Sequence, residues 1–232
     1  MWQGKTKALT FSYDDGVMQD VRFIDILNKY GLKATFNLNS GLLGRSGELL
    51  IGEKRIAHNK VRPQDVRQIY QGHEIAAHTL THPRLNGIDD DAEIIRQVEE
   101  DRLALSELAG YEVVGMAYPC GGVNFDERVI HLIKNNTGIK YARTTVSTYS
   151  FAPQNELFAF NPTVHHFGDL EGMMRLGKEF LALEAKEMQI FYVWGHAYEL
   201  DVNDGWAAFD EFCKMMSGKK DIFYGTNKEV LL

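Results

Sequence analysis

Two adjacent aspartates, Asp14 and Asp15, end the first apolar run of the chain, Ala8-Leu9-Thr10-Phe11-Ser12-Tyr13-Asp14-Asp15-Gly16. Neighbouring carboxylates at the end of an extended run serve a core badly and a reactive site well. Adjacent side chains on a strand point to opposite sides, so one carboxylate can meet a metal ion while the other works as a base. Asp-Gly is also an ordinary turn signal, and this segment alone fits both readings. A second signal is His78-Thr79-Leu80-Thr81-His82-Pro83. Imidazoles at this spacing can reach one ion from a helix or a tight turn. Pro83 biases His82 away from helical dihedrals and favours the turn. A catalytic zinc site takes three protein ligands and keeps one position open. A carboxylate must therefore complete the set, and Asp14 and Asp15 are both candidates.

Strand-like and helix-like segments alternate around these groups. Strands are expected over 7–13, 33–38, 73–77, 113–118, 139–145, 158–164, 189–194 and 221–224. Helices are expected over 20–30, 63–70, 89–109, 126–136, 170–186 and 205–216. Asp89, Asp90 and Asp91 suit the positive end of the longest helix, and Gly110 closes it. The alternation predicts βα units around a parallel sheet. The number of units favours an α/β fold built as a distorted (β/α) barrel of about seven parallel strands, in a single domain over 1–232. No Gly-x-Gly-x-x-Gly follows the first strand, which weakens a dinucleotide-binding reading. In a barrel, catalytic groups sit at the carboxyl ends of strands. Asp14 and Asp15, His78 and His82, Tyr118-Pro119-Cys120-Gly121, Arg143 and His196 all fall there.

The two signals together resemble the first two motifs of the polysaccharide deacetylase family, the NodB-homology group or carbohydrate esterase family four. The resemblance runs from Ser12 to His196 in the family's motif order. It implies a distorted (β/α) barrel that hydrolyses acetyl groups on sugars with a divalent metal, Zn²⁺ foremost and Co²⁺, Ni²⁺ or Mn²⁺ as substitutes. It also assigns roles: Asp14 as general base, Asp15, His78 and His82 as metal ligands. The family's third motif, Arg-x-Pro-Tyr-Gly, is altered to Ala117-Tyr118-Pro119-Cys120-Gly121. Cys120 still offers a backbone N–H to an oxyanion, with Tyr118 and Gly121 beside it. The arginine that steadies the base is absent, and Arg143 is the candidate to replace it. Phe191-Tyr192-Val193-Trp194-Gly195-His196 fits the fifth motif, with His196 as general acid. Glu199 and Asp201 follow, able to orient His196 or touch substrate. Trp194 and Trp206 offer aromatic faces for a sugar, and His165 and His166 end the sixth strand. A covalent role for Cys120 is not expected, since no basic neighbour in sequence would lower its pKa.

Bulk properties narrow the alternatives. The chain has 232 residues, 44% hydrophobic, with net charge −7 and a pI near 5.6, a balance that disfavours a phosphate-backbone partner. Cys120 and Cys213 form no disulfide framework, which fits a reducing compartment. No apolar run reaches the length of a membrane span. A cytoplasmic location is expected for the chain as it stands, and an exported one if a leader precedes it. The leading expectation is a deacetylase of an N-acetylated sugar or oligosaccharide. The alternatives are a hydrolase of a small non-sugar amide on the same barrel and a carbohydrate-binding protein with a degenerate site.

Overall fold

The computed structural model describes residues 2–167 and 169–232. Strand β1 (Lys7–Asp14) is buried at every position, as a central strand covered on both faces must be. Helix α1 (Asp20–Lys29) lays Phe23, Ile24 and Leu27 on the core and leads into β2 (Thr35–Leu38). A hairpin follows, β3 (Glu48–Ile51) with β4 (Lys54–Ala57). Then come α2 (Val66–Ile69), β5 (Glu74–Ala77), α3 (Asp91–Ala109), β6 (Gly115–Ala117), α4 (Glu127–Asn136) and β7 (Tyr141–Arg143). The order ends with β8 (Val164–His165), α5 (Leu170–Ala182), β9 (Gln189–Gly195), α6 (Glu199–Val202), α7 (Trp206–Met216), β10 (Ile222–Tyr224) and α8 (Asn227–Leu231). Helix α3 begins at Asp90, whose side chain accepts the Ala92 N–H, and stops at Gly110 in the left-handed region. Its end is the expected one, and its start falls two residues after the expected 89.

The main sheet runs β7-β6-β5-β2-β1-β9-β8, with β10 also on β1. Every pair in it is parallel. β10 registers Lys7–Leu9 with Ile222–Tyr224, whereas β2 takes the other half of the same edge, Ser12 opposite Thr35 and Asp14 opposite Asn37. Phe160 bridges to Arg143 at one edge, and Val164–His165 pairs with β9 at the other. One short stretch thus joins the two edges and curls the sheet into the expected distorted α/β barrel. The sixth strand is shorter than 158–164 because its first part pairs with β7 and its last part with β9. Helix α5 stops at Ala182 rather than 186. The β3–β4 hairpin was not anticipated. Among the described residues no helix is long and apolar enough to cross a membrane.

Asp20 lies fully buried, with Tyr70 OH donating to Oδ2 at 2.7 Å. Burial pushes its carboxyl up to about 8, against the opposing bond from Tyr70. In the unfolded chain it returns to about 4. The native state therefore keeps a proton that the unfolded state releases. The stability this group contributes is whole below about pH 4 and is lost as pH rises through about 8. Asp20→Asn keeps an oxygen for Tyr70 and should flatten the fall in Tm between pH 5 and pH 8. A wild-type slope in the variant would contradict this.

Candidate metal and acid–base site

The carboxyl ends of the strands open on a cavity of about 760 Å³. Asp14, Asp15, His78, His82, Tyr118, Cys120, Gly121, Trp194 and His196 all line it. Asp14 closes β1 opposite Asn37. Its Oδ1 accepts Arg143 Nη2 at 2.6 Å and Asn37 Nδ2 at 2.8 Å. Burial alone would raise the Asp14 pKa, but the Arg143 guanidinium, with smaller help from His78 and His196, holds it below the usual value. Arg143 is itself fully buried, with Nη1 on Thr144 O at 2.9 Å and its guanidinium 4.5 Å over the Trp194 ring. The structure thus brings Arg143 onto Asp14 from a strand end, whereas the third motif carries Ala117.

Asp15 leaves the sheet. Its N–H still donates to Asn37 O at 2.9 Å, but its φ of 85° turns the side chain off the strand. Thr79, His82 and Cys120 also take positive φ, at 69°, 62° and 68°. Left-handed backbone at non-glycine residues is costly and clusters at functional sites. Asp15, His78 and His82 each offer a ligand atom within 4.8 Å of the others. His78 gives the sharpest test of metal fit. Its Nδ1 is 2.8 Å from Ala117 O, so Nδ1 carries the proton and Nε2 presents a lone pair. That Nε2 is buried with no partner among the described residues. A buried orphan of this kind is costly unless something binds it. Burial pushes the His78 pKa down to about 4 in spite of the nearby Asp14 and Asp15, which keeps the imidazole neutral as a ligand must be. His82 Nε2 lies 3.9 Å from Asp15 Oδ1. The donor set fits a divalent ion.

Two residues that hold Asp15 escaped the sequence reading, as did Asn37 on Asp14. His58 Nε2 is 3.0 Å from Asp15 Oδ2, and Lys60 Nζ is 3.2 Å from Oδ1 and 2.7 Å from the Asp15 carbonyl. Burial would raise the Asp15 pKa, but His58 and then Lys60 hold it well below the usual range. Both follow the hairpin, and the backbone there is stitched to the turn after Asp15: Met18 N donates to Asn59 O, and Val61 N to Gly16 O. Partners that orient a metal ligand are worth about 10–100-fold in metal affinity. His58→Ala should weaken Zn²⁺ binding by that factor in a titration of metal-free protein; unchanged affinity would remove His58 from that role.

His196 follows β9 and sits over Glu199, with its N–H on Oε2 at 2.9 Å and its Nδ1 3.1 Å from Oε1. Burial opposes protonation, but the Glu199 carboxylate overrides it and pushes His196 up to about 9. Despite its own burial, Glu199 is held well below the carboxylate range, chiefly by His196 and His165. His165 Nε2 also meets Glu199 at 3.0 Å and stacks on Trp194 with ring centres 4.0 Å apart. A Cβ on Gly195 would fall 2.6 Å from the His166 ring and 3.1 Å from Glu199 Oε2. Only glycine leaves room for that arrangement.

Other expected residues separate. His166 is fully buried with Nδ1 on Tyr13 OH and lies outside the cavity lining. Trp206 and Asp201 also fall outside the lining and bond to each other, Nε1 to Oδ1 at 2.7 Å, so Trp206 offers no face there. Tyr118 donates its OH to Phe158 O at 2.8 Å and stacks on Phe125. Cys120 Sγ lies 3.8 Å from His82 Nδ1, a neighbour that sequence distance hid. Among the described residues its backbone N–H makes no hydrogen bond.

The sequence pattern of the polysaccharide deacetylase family matches residues 3–142. The chain belongs to that family. Solved structures share the fold at low identity. The Streptococcus pyogenes deacetylase PplD in complex with acetate aligns with a TM-score of 0.52 at 20% identity, over 65% of this chain and 61% of that one. Wild-type BA3943, a CE4 family pseudoenzyme from Bacillus anthracis, gives 0.61 at 15% identity, over 98% of this chain and 66% of that one. A family 4 carbohydrate esterase from Streptomyces lividans in complex with acetate gives 0.58 at 13%, over 96% and 92%. The chain thus spans less than two thirds of the first two of these relatives. No curated protein shows significant sequence similarity to it.

Proposed function

We propose that the chain is a metal-dependent deacetylase of N-acetylated sugars. The observation that carries this reading is the free, buried Nε2 of His78, grouped with Asp15 and His82 beside a carboxylate already locked by Arg143. Asp15, His78 and His82 would hold the ion, and two imidazoles with one carboxylate suit Zn²⁺ best. When bound, such an ion acidifies water and polarises an acetyl carbonyl. Asp14 accepts the proton of the attacking water. Arg143 Nη2 donates to both Asp14 oxygens and Asn37 to Oδ1 alone; Oδ2, 3.9 Å from His78 Nε2, is the oxygen toward the site. The Cys120 N–H is free to donate to the oxyanion that develops as the carbonyl is attacked. His196, charged at neutral pH through Glu199, gives its proton to the departing amine. Wild-type BA3943, a pseudoenzyme, has this fold too, so the argument rests on the reactive groups and not on shape.

His196 must be protonated to act as acid, and its pKa lies near 9. A cation held at Asp15 would offset part of that rise in pKa, so turnover should fall with rising pH at or below about 9. A rate flat from pH 7 to pH 10 would contradict His196 as the acid. A second reading, hydrolysis of a small non-sugar amide, is favoured by the wall that Leu42, Arg45, Ser46, Gly47 and Leu49 add to the cavity. Acetate release from N-acetylglucosamine oligomers, set against ring opening of small cyclic amides, separates the two. The proposal predicts acetate and no ring opening; the reverse would replace it with the second reading.

A further inference from the structure

Helix α3 buries Ile94, Val98 and Leu105, and with them it buries two polar side chains, Gln97 and Asp101. A carboxyl group with no exposed surface, as Asp101 is, is costly unless its oxygens are hydrogen-bonded. Its partners are amides and a hydroxyl. Oδ1 accepts the Ser40 N–H at 2.7 Å and Ser40 Oγ at 2.6 Å, and Oδ2 accepts the His78 N–H at 3.0 Å. Ser40 follows β2 and His78 follows β5, so one side chain ties two strand ends to α3. Gln97 lies one helical turn earlier and continues the grip. Its Oε1 accepts the Thr81 N–H at 3.1 Å, and its carbonyl oxygen the Leu80 N–H at 2.9 Å. The carbonyls of the same loop are held from the β2 side. Asn39 Nδ2 donates to His78 O and to Thr79 O at 3.0 Å, and Gly41 N to Leu80 O at 3.1 Å.

The segment from His78 to His82 requires such a cage. Thr79 and His82 take φ of 69° and 62°, and left-handed backbone at these residue types persists only where the surroundings over-determine it. We propose that Asp101 is a positioning residue for the metal. It acts through the backbone of residues 78–82, fixing where His78 and His82 present their ring nitrogens. This rests on the reading of those two histidines as ligands given above, and it places part of the metal affinity in a helix that supplies no ligand. The physical cause is preorganisation: a ligand loop already held in its bound form spends less of the binding energy on ordering. Asp101 itself touches neither the ring of His78 nor that of His82; its bond is to the His78 amide, which it shares with Leu38 O at 2.9 Å.

Asp101→Asn keeps the volume and one accepting oxygen. Its amide nitrogen must replace the other oxygen, which sets donor against donor at Ser40 or at His78. Zn²⁺ affinity of the metal-free protein should fall about 10–100-fold, the loss typical of a partner that orients a ligand. Linkage separates this from a role in folding alone. An ion that binds the native state stabilises it by its binding free energy. The Tm gap between wild type and Asp101→Asn should therefore be wider in excess Zn²⁺ than in metal-free protein, whereas a purely structural loss gives the same gap in both. Ser40→Ala leaves the carboxyl in place and removes one donor to it. It should show the same pattern at smaller size, and it decides the matter if Asp101→Asn does not fold. Unchanged Zn²⁺ affinity together with equal Tm gaps overturns the role of Asp101. Wild type that binds no Zn²⁺ strikes the metal reading itself, and the role of Asp101 falls with it.

Discussion

Asp14→Asn is expected to lower kcat by about 10²–10⁴-fold, the usual contribution of a positioned general base, while Zn²⁺ binding stays intact. The substitution preserves shape. An asparagine oxygen can still accept from Arg143 Nη2 and Asn37 Nδ2, which hold Asp14 Oδ1 at 2.6 Å and 2.8 Å. What disappears is Oδ2, the oxygen able to take a proton and the second acceptor of Arg143 Nη2. Asp14 stands outside the group whose ligand atoms converge, Asp15, His78 and His82, so the metal should remain. Turnover within twofold of wild type would show that Asp14 is not the base. Loss of Zn²⁺ binding would show it to be a ligand.

His78→Gln is expected to weaken Zn²⁺ binding by at least ~10²-fold, because removal of a ligand must exceed the 10–100-fold cost of removing a partner that only orients one. The basis is chemical and not positional. His78 is 1% exposed, its Nδ1 is occupied by Ala117 O, and its Nε2 has no other partner among the described residues. Glutamine keeps most of the buried volume, so the variant tests ligation more than packing. Calorimetric titration of metal-free protein reads the effect, and retention of wild-type affinity would remove His78 from the ligand set.

Much of the site was legible because its groups end strands, and a parallel barrel collects strand ends on one rim. That logic found Asp14, Asp15, His196 and Arg143 from runs such as Phe191–Trp194. Arg143 reaches Asp14 although the two lie far apart in sequence, because β7 and β1 belong to one curled sheet. His58 and Lys60 were not legible, since no periodic segment announces them. They follow a hairpin whose signal is local: Gly52 and Glu53 link Ile51 to Lys54, with Gly52 at φ 60°, the form of a two-residue turn that begins with glycine. Their role depends on the pairing of 58–61 with the turn after Asp15, which is tertiary. Trp206 misled for the opposite reason. An indole N–H inside a protein seeks an acceptor, and Asp201 supplies it away from the cavity. Glu199 could be read as an orienter of His196, but nothing in the sequence showed that His165 and His166 converge on the same carboxylate.

The aspartate pair is thus divided by backbone geometry. Asp14 stays in the strand and is gripped by Arg143; Asp15 turns out at positive φ and is gripped by His58 and Lys60. The division of labour proposed for them requires a metal at Asp15. The most direct test is acetate release from an N-acetylglucosamine oligomer by one preparation, first stripped with a chelator and then titrated with Zn²⁺. The account predicts no release from stripped protein and full recovery at about one equivalent of Zn²⁺. Undiminished release after complete metal removal would contradict it.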